Sequence, residues 1–206
     1  MSHIDPKRHW EAVYGSKAEN EVSWFQEEPA TSIEFIRHCG GGRDVPIIDI
    51  GGGESRLVDR LLDAGYGDVT VLDLSEHALE HTKARLGTRA QSVSWIAADI
   101  TAWMPSRQYQ LWHDRAVLHF LNGAEERSAY RRALLDAVAP GGCVVISTFA
   151  LDGPEKCSGL PVVRYSPETL ANELGPQLQL LETRHESHET PWGTTQRFQF
   201  SRFRRS

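Results

Sequence analysis

From about residue 45 onward the chain alternates short apolar runs with stretches of helical periodicity, and most of the runs stop at a glycine or an aspartate. Val45-Pro46-Ile47-Ile48-Asp49-Ile50 ends in Gly51-Gly52-Gly53, after which Leu57, Val58, Leu61 and Leu62 recur at helical spacing up to Gly65. Val69-Thr70-Val71-Leu72 ends at Asp73, and Ser75 is placed to cap a helix that Gly87 closes. Further strands are predicted over 93–98, stopping at Asp99, and over 109–113, stopping at Asp114. A helix is predicted over 124–139, broken by Pro140-Gly141-Gly142 before a strand over 143–149, and Ser166-Pro167 opens another helix to about Leu174. Such alternation implies a parallel sheet covered on both faces, and right-handed crossovers make it doubly wound. Residues 178–188 and 194–203, flanking Thr190-Pro191-Trp192-Gly193, predict an antiparallel hairpin at the sheet edge. The expected fold is therefore α/β: a doubly wound, mostly parallel seven-stranded sheet with a C-terminal antiparallel hairpin. One domain is expected over 1–206, with 1–44 a helical extension and 45–206 the core.

In doubly wound sheets, ligands sit beyond the carboxyl ends of the strands, so the residues after each predicted strand are the candidates. Gly51, Gly52 and Gly53 let the backbone turn sharply and approach a ligand closely, ahead of a helix whose first N–H groups are free. A structural turn would use the same glycines. Asp73 ends the next strand 22 residues after Gly51, where an acid accepts hydrogen bonds from ribose hydroxyls; otherwise it is a solvated loop acid or part of a cap. The third glycine of a dinucleotide fingerprint is replaced by Arg56, and no Gly-Lys-Ser/Thr sequence is present. Asp49, two residues before the first glycine, would repel a diphosphate and suits a cofactor carrying an ammonium and a sulfonium. The charge pattern favours S-adenosylmethionine.

These residues resemble class I S-adenosylmethionine-dependent methyltransferases, whose core is Rossmann-like. Ile47-Ile48-Asp49-Ile50-Gly51-Gly52-Gly53 resembles their first motif, Val71-Leu72-Asp73-Leu74-Ser75 their second-strand acid, and Ala98-Asp99-Ile100 their adenine motif. Pro140-Gly141-Gly142 ahead of a strong strand and the closing hairpin are also typical. The resemblance implies that Asp49 meets the methionine amino group and that Gly51 and Gly53, with Gly52 between them, lie along the methionine and ribose. It also implies that Asp73 holds the ribose diol beside Leu74, and that Asp99 and Ile100 meet the adenine. Ser55 departs from the pattern, standing where many relatives have a further glycine. Trp10-Glu11-Ala12-Val13-Tyr14 and Trp24-Phe25 resemble the aromatic segment before the core in thiopurine-methyltransferase-like and some lysine-methyltransferase-like members. Trp10, Tyr14 and Trp24 would then cover the cofactor, or would simply pack a helix on the sheet.

On the acceptor side, His113-Asp114-Arg115-Ala116-Val117-Leu118-His119-Phe120 follows the fourth strand. Asp114 and His119 are the candidate catalytic groups, placed to orient or deprotonate an acceptor. Asp114 and Arg115 could equally form a local ion pair, and His119 could be core packing. Related lysine methyltransferases usually carry Asp-Lys-Gly-Thr here, and the departure to Asp-Arg-Ala-Val tilts the reading toward a small-molecule acceptor. Arg164 and Tyr165 are candidates for the acceptor mouth.

Composition narrows the remaining classes. Of 206 residues, 22 Lys and Arg stand against 28 Asp and Glu, a formal charge of −6, which disfavours nucleic acid or an anionic membrane as a partner held by charge alone. No apolar run approaches a membrane span and the N-terminus has no signal core. Cys39, Cys143 and Cys157 are too few and scattered for a disulfide framework, which suggests free thiols in a reducing, cytoplasmic setting. Nine histidines include no H-E-x-x-H, so no metal is expected. Arg197, Arg202, Arg204 and Arg205 suggest a solvated edge strand. The leading expectation is a methyltransferase acting on a small molecule. A protein lysine methyltransferase with the same core is the alternative, and a nucleoside-cofactor-binding module or NAD-dependent oxidoreductase is the alternative from another class.

Overall fold

A computed structural model describes residues 5–206. Its elements run α1 (Pro6–Ser16), α2 (Ala30–His38), β1 (Ile47–Ile50), α3 (Leu57–Asp63), β2 (Val69–Asp73), α4 (Glu76–Leu86), β3 (Val93–Ala97), β4 (Tyr109–Arg115), α5 (Ala124–Ala137), β5 (Val138–Phe149), the two-residue ladder β6 (Lys156–Cys157) and β7 (Leu160–Pro161), α6 (Pro167–Leu174), β8 (Leu178–Glu189) and β9 (Thr195–Arg205). The main sheet has the order β3-β2-β1-β4-β5-β9-β8, with β1 to β5 parallel and β9 antiparallel to both β5 and β8. This is the expected doubly wound seven-stranded architecture. No helix among the described residues is long and apolar enough to cross a membrane.

The apolar runs work through the pleat. Successive residues of β1 face opposite sides, so Ile47 packs with Leu57 and Leu61 of α3 and Leu79 of α4, while Ile48 packs with Tyr130 and Leu134 of α5. Ser75 caps α4 by accepting from Ala78 N, and Ser166 caps α6 with Pro167 in the first helical position.

Three expectations are corrected. The Pro140-Gly141-Gly142 break lies inside β5: pairing jumps from Tyr109/Val138 to Leu111/Cys143, so three extra residues bulge out while the strand continues. Gly141 makes this possible at φ +77°. The arginine-rich strand β9 is interior, and the edge is β8; Arg202 reaches across to Glu182 at 2.8 Å and Arg205 to the Val138 carbonyl. Cys39 and Cys143 are joined in a disulfide that ties the end of α2 to β5, because tertiary packing brings together two thiols 104 residues apart. The cysteine-based argument for a reducing compartment falls with it.

Candidate active site

The sheet order reverses between β1 and β4, and the crevice lies there, at the carboxyl ends of the strands. It holds two adjoining cavities of about 570 and about 1120 Å³, both measured out to their open mouths, which share Tyr14, Trp24, Ile50, Gly51 and Arg115.

Asp49 and Gly51-Gly52 line the smaller cavity. Asp49 Oδ1 accepts from His113 Nδ1 at 2.7 Å, and His113 Nε2 lies 2.9 Å from Ser32 Oγ on α2. Asp49 Oδ2 is buried and has no partner among the described residues. Glu54 repeats the arrangement: Oε1 lies 2.5 Å from His81 Nδ1, Oε2 is buried and unpartnered, and burial raises its carboxyl above the ordinary value. Two orphaned carboxylate oxygens on one cavity attract a cation and repel a phosphate. A Cβ at Gly52 would stand 2.6 Å from Asp49 Oδ2 and 2.7 Å from Val71 Cγ1, so this turn accepts only glycine without displacement.

Asp73, Leu74, Asp99 and Ile100 line the larger cavity. Burial pushes the Asp73 carboxyl up to about 7, with Asp49 adding to the rise, although the backbone N–H groups of Ser75, Gly53 and Leu74 favour its ionised form. Donors from a ligand diol would complete what those amides begin. Gly53 is not among the lining residues of either cavity, and its backbone N–H donates to Asp73. Asp99 is fixed through Oδ1, which accepts from Thr101 N at 2.8 Å and Thr101 Oγ1 at 2.7 Å.

Helix α1 covers the larger cavity. Trp10 stands edge-on to Phe120 and Trp24 at centroid separations of 5.0 and 5.6 Å, and Trp10, Tyr14 and Trp24 all line the wall. Glu11 holds the helix down by accepting from Glu76 N at 2.7 Å, in the first turn of α4. Glu19 pairs with Arg56 and, at 2.9 Å, with Arg85.

The two candidate catalytic groups fare differently from the expectation. Asp114 is fully buried and lines neither cavity: it accepts from Val117 N at 2.7 Å, Leu118 N at 3.1 Å and Tyr130 Oη at 2.5 Å. Burial raises it to about 6, and its role is to clamp the loop rather than to meet an acceptor or pair with Arg115. His119 does line the larger cavity, but Phe149 N donates to its Nδ1 at 3.3 Å. Burial, with Arg115 nearby, pulls the imidazole down to about 3, so the ring is neutral and carries its proton on Nε2. Among the described residues Nε2 has no partner, and in this tautomer it is a donor. Arg164 bonds the Gly153 carbonyl and Glu155 and Tyr165 sits in the core, so neither lines the mouth.

Sequence reasoning missed Ser32, Glu54, Cys157 and Phe198, all of which line the crevice. Glu54 was findable, since it follows the glycine triplet directly. The others reach the site from α2, β6 and β9, with no motif around them. Burial pushes the Cys157 thiol up to about 11, leaving it neutral.

A family model described as a methyltransferase domain matches residues 47–142. Curated relatives include the eEF1A lysine and N-terminal methyltransferases of Mus musculus, 26% identical over 127 residues, and of Danio rerio, 25% identical over 146. These alignments take in 60% and 69% of this chain but 18% and 21% of those proteins, so the chain spans about a fifth of the length of the curated relatives it matches. The N-methyltransferase NodS from Bradyrhizobium japonicum, solved with S-adenosyl-L-homocysteine, superposes with a TM-score of 0.72 at 18% identity, over 98% of this chain and 99% of that one. The Burkholderia thailandensis 1,6-didemethyltoxoflavin-N1-methyltransferase superposes at 0.68 and 18% identity, over 100% and 93%. At such identities the structural likeness establishes the fold.

Proposed function

We propose that this chain is a class I S-adenosylmethionine-dependent methyltransferase and transfers a methyl group from S-adenosylmethionine to a small-molecule acceptor. The observation that carries the reading is the donor set of the crevice. An acid suited to a sugar diol, Asp73, lies near two buried carboxylate oxygens without partners, Asp49 Oδ2 and Glu54 Oε2. A nucleoside joined to a cationic amino acid satisfies both ends, whereas a dinucleotide would bring its diphosphate toward carboxylates.

Asp73 would accept from the ribose hydroxyls, Asp49 and Glu54 would face the ammonium, and Asp99 with Ile100 would flank the adenine. Bound there, the cofactor supplies a methyl group already activated on a cationic sulfur. The chain need not create a strong nucleophile; it must align the acceptor and exclude water, and alignment alone is worth about 7–11 kcal/mol in favourable systems. Trp10, Tyr14 and Trp24 line the larger cavity and would exclude water from a cofactor held there, offering aromatic faces to its positive charge. Asp114 is spent on the loop, where it accepts from Val117 N and Tyr130 Oη, so it is not the group that would receive an acceptor proton.

A second reading, methylation of a protein lysine, is favoured by the activity named for the curated relatives. Transfer of labelled methyl from S-adenosylmethionine in a cell extract, separated into protein and small-molecule fractions, decides between them. Label in the small-molecule fraction supports the first reading, and label in protein alone overturns it. Calorimetry with S-adenosylhomocysteine and NAD tests the cofactor: binding of NAD alone would sink the assignment.

A further inference from the structure

Past the nucleoside-facing acids, the larger cavity has a floor of His119, Cys157 and Phe198 beside Arg115. The Arg115 guanidinium is buried at the end of β4 and stacks on the Phe198 ring at 4.5 Å. Its Nη1 donates to the Trp24 carbonyl at 3.0 Å, while Nε and Nη2 have no hydrogen-bond partner among the described residues. Glu186 Oε1 balances the charge from 3.8 Å, too far to take either proton, and is itself bonded by Gln26 Nε2 at 3.1 Å. The unpartnered pair Nε and Nη2 forms one edge of the guanidinium, a fork that matches the two oxygens of a carboxylate. His119 Nε2–H is another unpartnered donor on the same wall. Buried donors are rarely left unmatched without a reason.

The loop is also held in a strained form. Ala116 has φ +77°, a left-handed conformation uncommon for a residue with a side chain, and the Asp114 clamp on Val117 and Leu118 keeps it there. The carboxylates on this cavity are otherwise engaged: Asp73 and Asp99 face the nucleoside, and Glu126 caps α5 by accepting from Gly123 N at 2.7 Å. What remains for an acceptor is donors set in aromatic and apolar walls.

We propose that Arg115 and His119 form a donor-only subsite that selects acceptors bearing a carboxylate on an aromatic or otherwise apolar frame. The inference rests on the small-molecule reading and sharpens it. A lysine ammonium brought beside Arg115 would meet a like charge, and the neighbouring Glu186 is already shared between Arg115 and Gln26.

The test uses the full chain saturated with S-adenosylhomocysteine and two matched sets of probes: benzoate against benzamide, and indole-3-acetate against its amide and tryptamine. Calorimetry should find each acid binding at least tenfold more tightly than its neutral or cationic partner. Arg115→Met should abolish that preference, Arg115→Lys should retain part of it without the fork, and His119→Leu should weaken the acids more than His119→Gln does. Affinity for S-adenosylhomocysteine itself should stay within about twofold in the two His119 variants. Amides or tryptamine binding as well as the acids, or no acid binding at millimolar concentration, overturns the proposal. A tenfold loss of S-adenosylhomocysteine affinity in Arg115→Met would assign the guanidinium to the methionine carboxylate and overturn it equally. Failure of the wild-type chain to bind S-adenosylhomocysteine at all would instead strike the underlying methyltransferase reading, so the two failures are distinct.

Discussion

His113 Nδ1 lies 2.7 Å from Asp49 Oδ1, and the two residues are register partners on the adjacent parallel strands β4 and β1. Side chains at matched positions of neighbouring strands project from the same face, so the pairing follows from the sheet itself. It leaves Oδ2 as the free oxygen, next to the glycine turn. His113→Leu should therefore weaken S-adenosylhomocysteine binding roughly tenfold and lower stability, since removing a partner from a buried charged group costs about 1–3 kcal/mol. Ser32→Ala, one bond further out, should cost about 1 kcal/mol of stability with a smaller change in affinity. Calorimetry and thermal melts report both, and unchanged affinity in His113→Leu would remove Asp49 from the cofactor site.

Cofactor affinity should depend on pH through Asp73. In the free protein burial holds this carboxyl at about 7, and hydroxyl donors bind its ionised form, so the bound state has the lower pKa. Affinity is then full above about pH 7 and falls as pH drops through it, by up to tenfold per pH unit until the bound-state pKa is reached. Titrations with S-adenosylhomocysteine from about pH 5 to about pH 9 should show that slope together with proton release on binding. Asp73→Asn should lower affinity at high pH and flatten the profile. An unchanged slope in that variant would place the titrating group elsewhere.

The parts legible in the sequence are those whose causes are local. Glycines between a short strand and a helix mark a tight turn, Ser75 and Ser166 announce their helices, and an acid at the end of β2 sits where β2 delivers it. The roles of Asp114 and His119 were not legible, because their partners come from elsewhere in the chain. Tyr130 reaches Asp114 from 16 residues away, and Phe149, 30 residues beyond His119, sets the tautomer of the ring. The Pro140-Gly141-Gly142 signal misled for a related reason: pairing of Val138 with Tyr109 recruits residues before the break into the strand and leaves the breakers as a bulge. Arg115 was visible only as a charge near the acceptor loop. Its importance lies in which of its nitrogens find partners, and that is a property of the packed structure.

The crowding at Gly52 separates steric from conformational effects in the turn. Its φ needs no glycine, yet a Cβ there would press on Asp49 Oδ2 and Val71 Cγ1. Gly52→Ala should cost about 1–3 kcal/mol through overpacking and lose most S-adenosylhomocysteine affinity by displacing Asp49. Gly141→Ala is the contrasting variant, with φ +77° and open space around it. It should cost about 1 kcal/mol from backbone strain and leave affinity unchanged. Equal losses of affinity in both would mean that general destabilisation is being measured.

The Cys39–Cys143 disulfide closes a long stretch of chain, with a sequence separation of 104 residues, and joins α2, which carries Ser32, to β5. In the chain-entropy account a cross-link of this span restricts the unfolded state strongly, and native disulfides typically contribute about 2–4 kcal/mol. For a chain of this size each kcal/mol corresponds to roughly 2–4 °C, so reduction should lower the melting temperature by roughly 4–16 °C. Cys39→Ala combined with Cys143→Ala should melt at about the temperature of the reduced wild type and should not respond to reductant. Because α2 also positions Ser32 against His113, loosening it should weaken S-adenosylhomocysteine binding modestly, in the direction of the Ser32→Ala effect. Melts with and without a phosphine reductant, alongside a thiol count on the unfolded chain, test this directly. Three titratable thiols and no shift on reduction would mean that Cys39 and Cys143 stay apart in solution, and α2 would then be held without a cross-link, by its packing against Phe200 and Leu57 and by side-chain bonds such as Ser32 to His113.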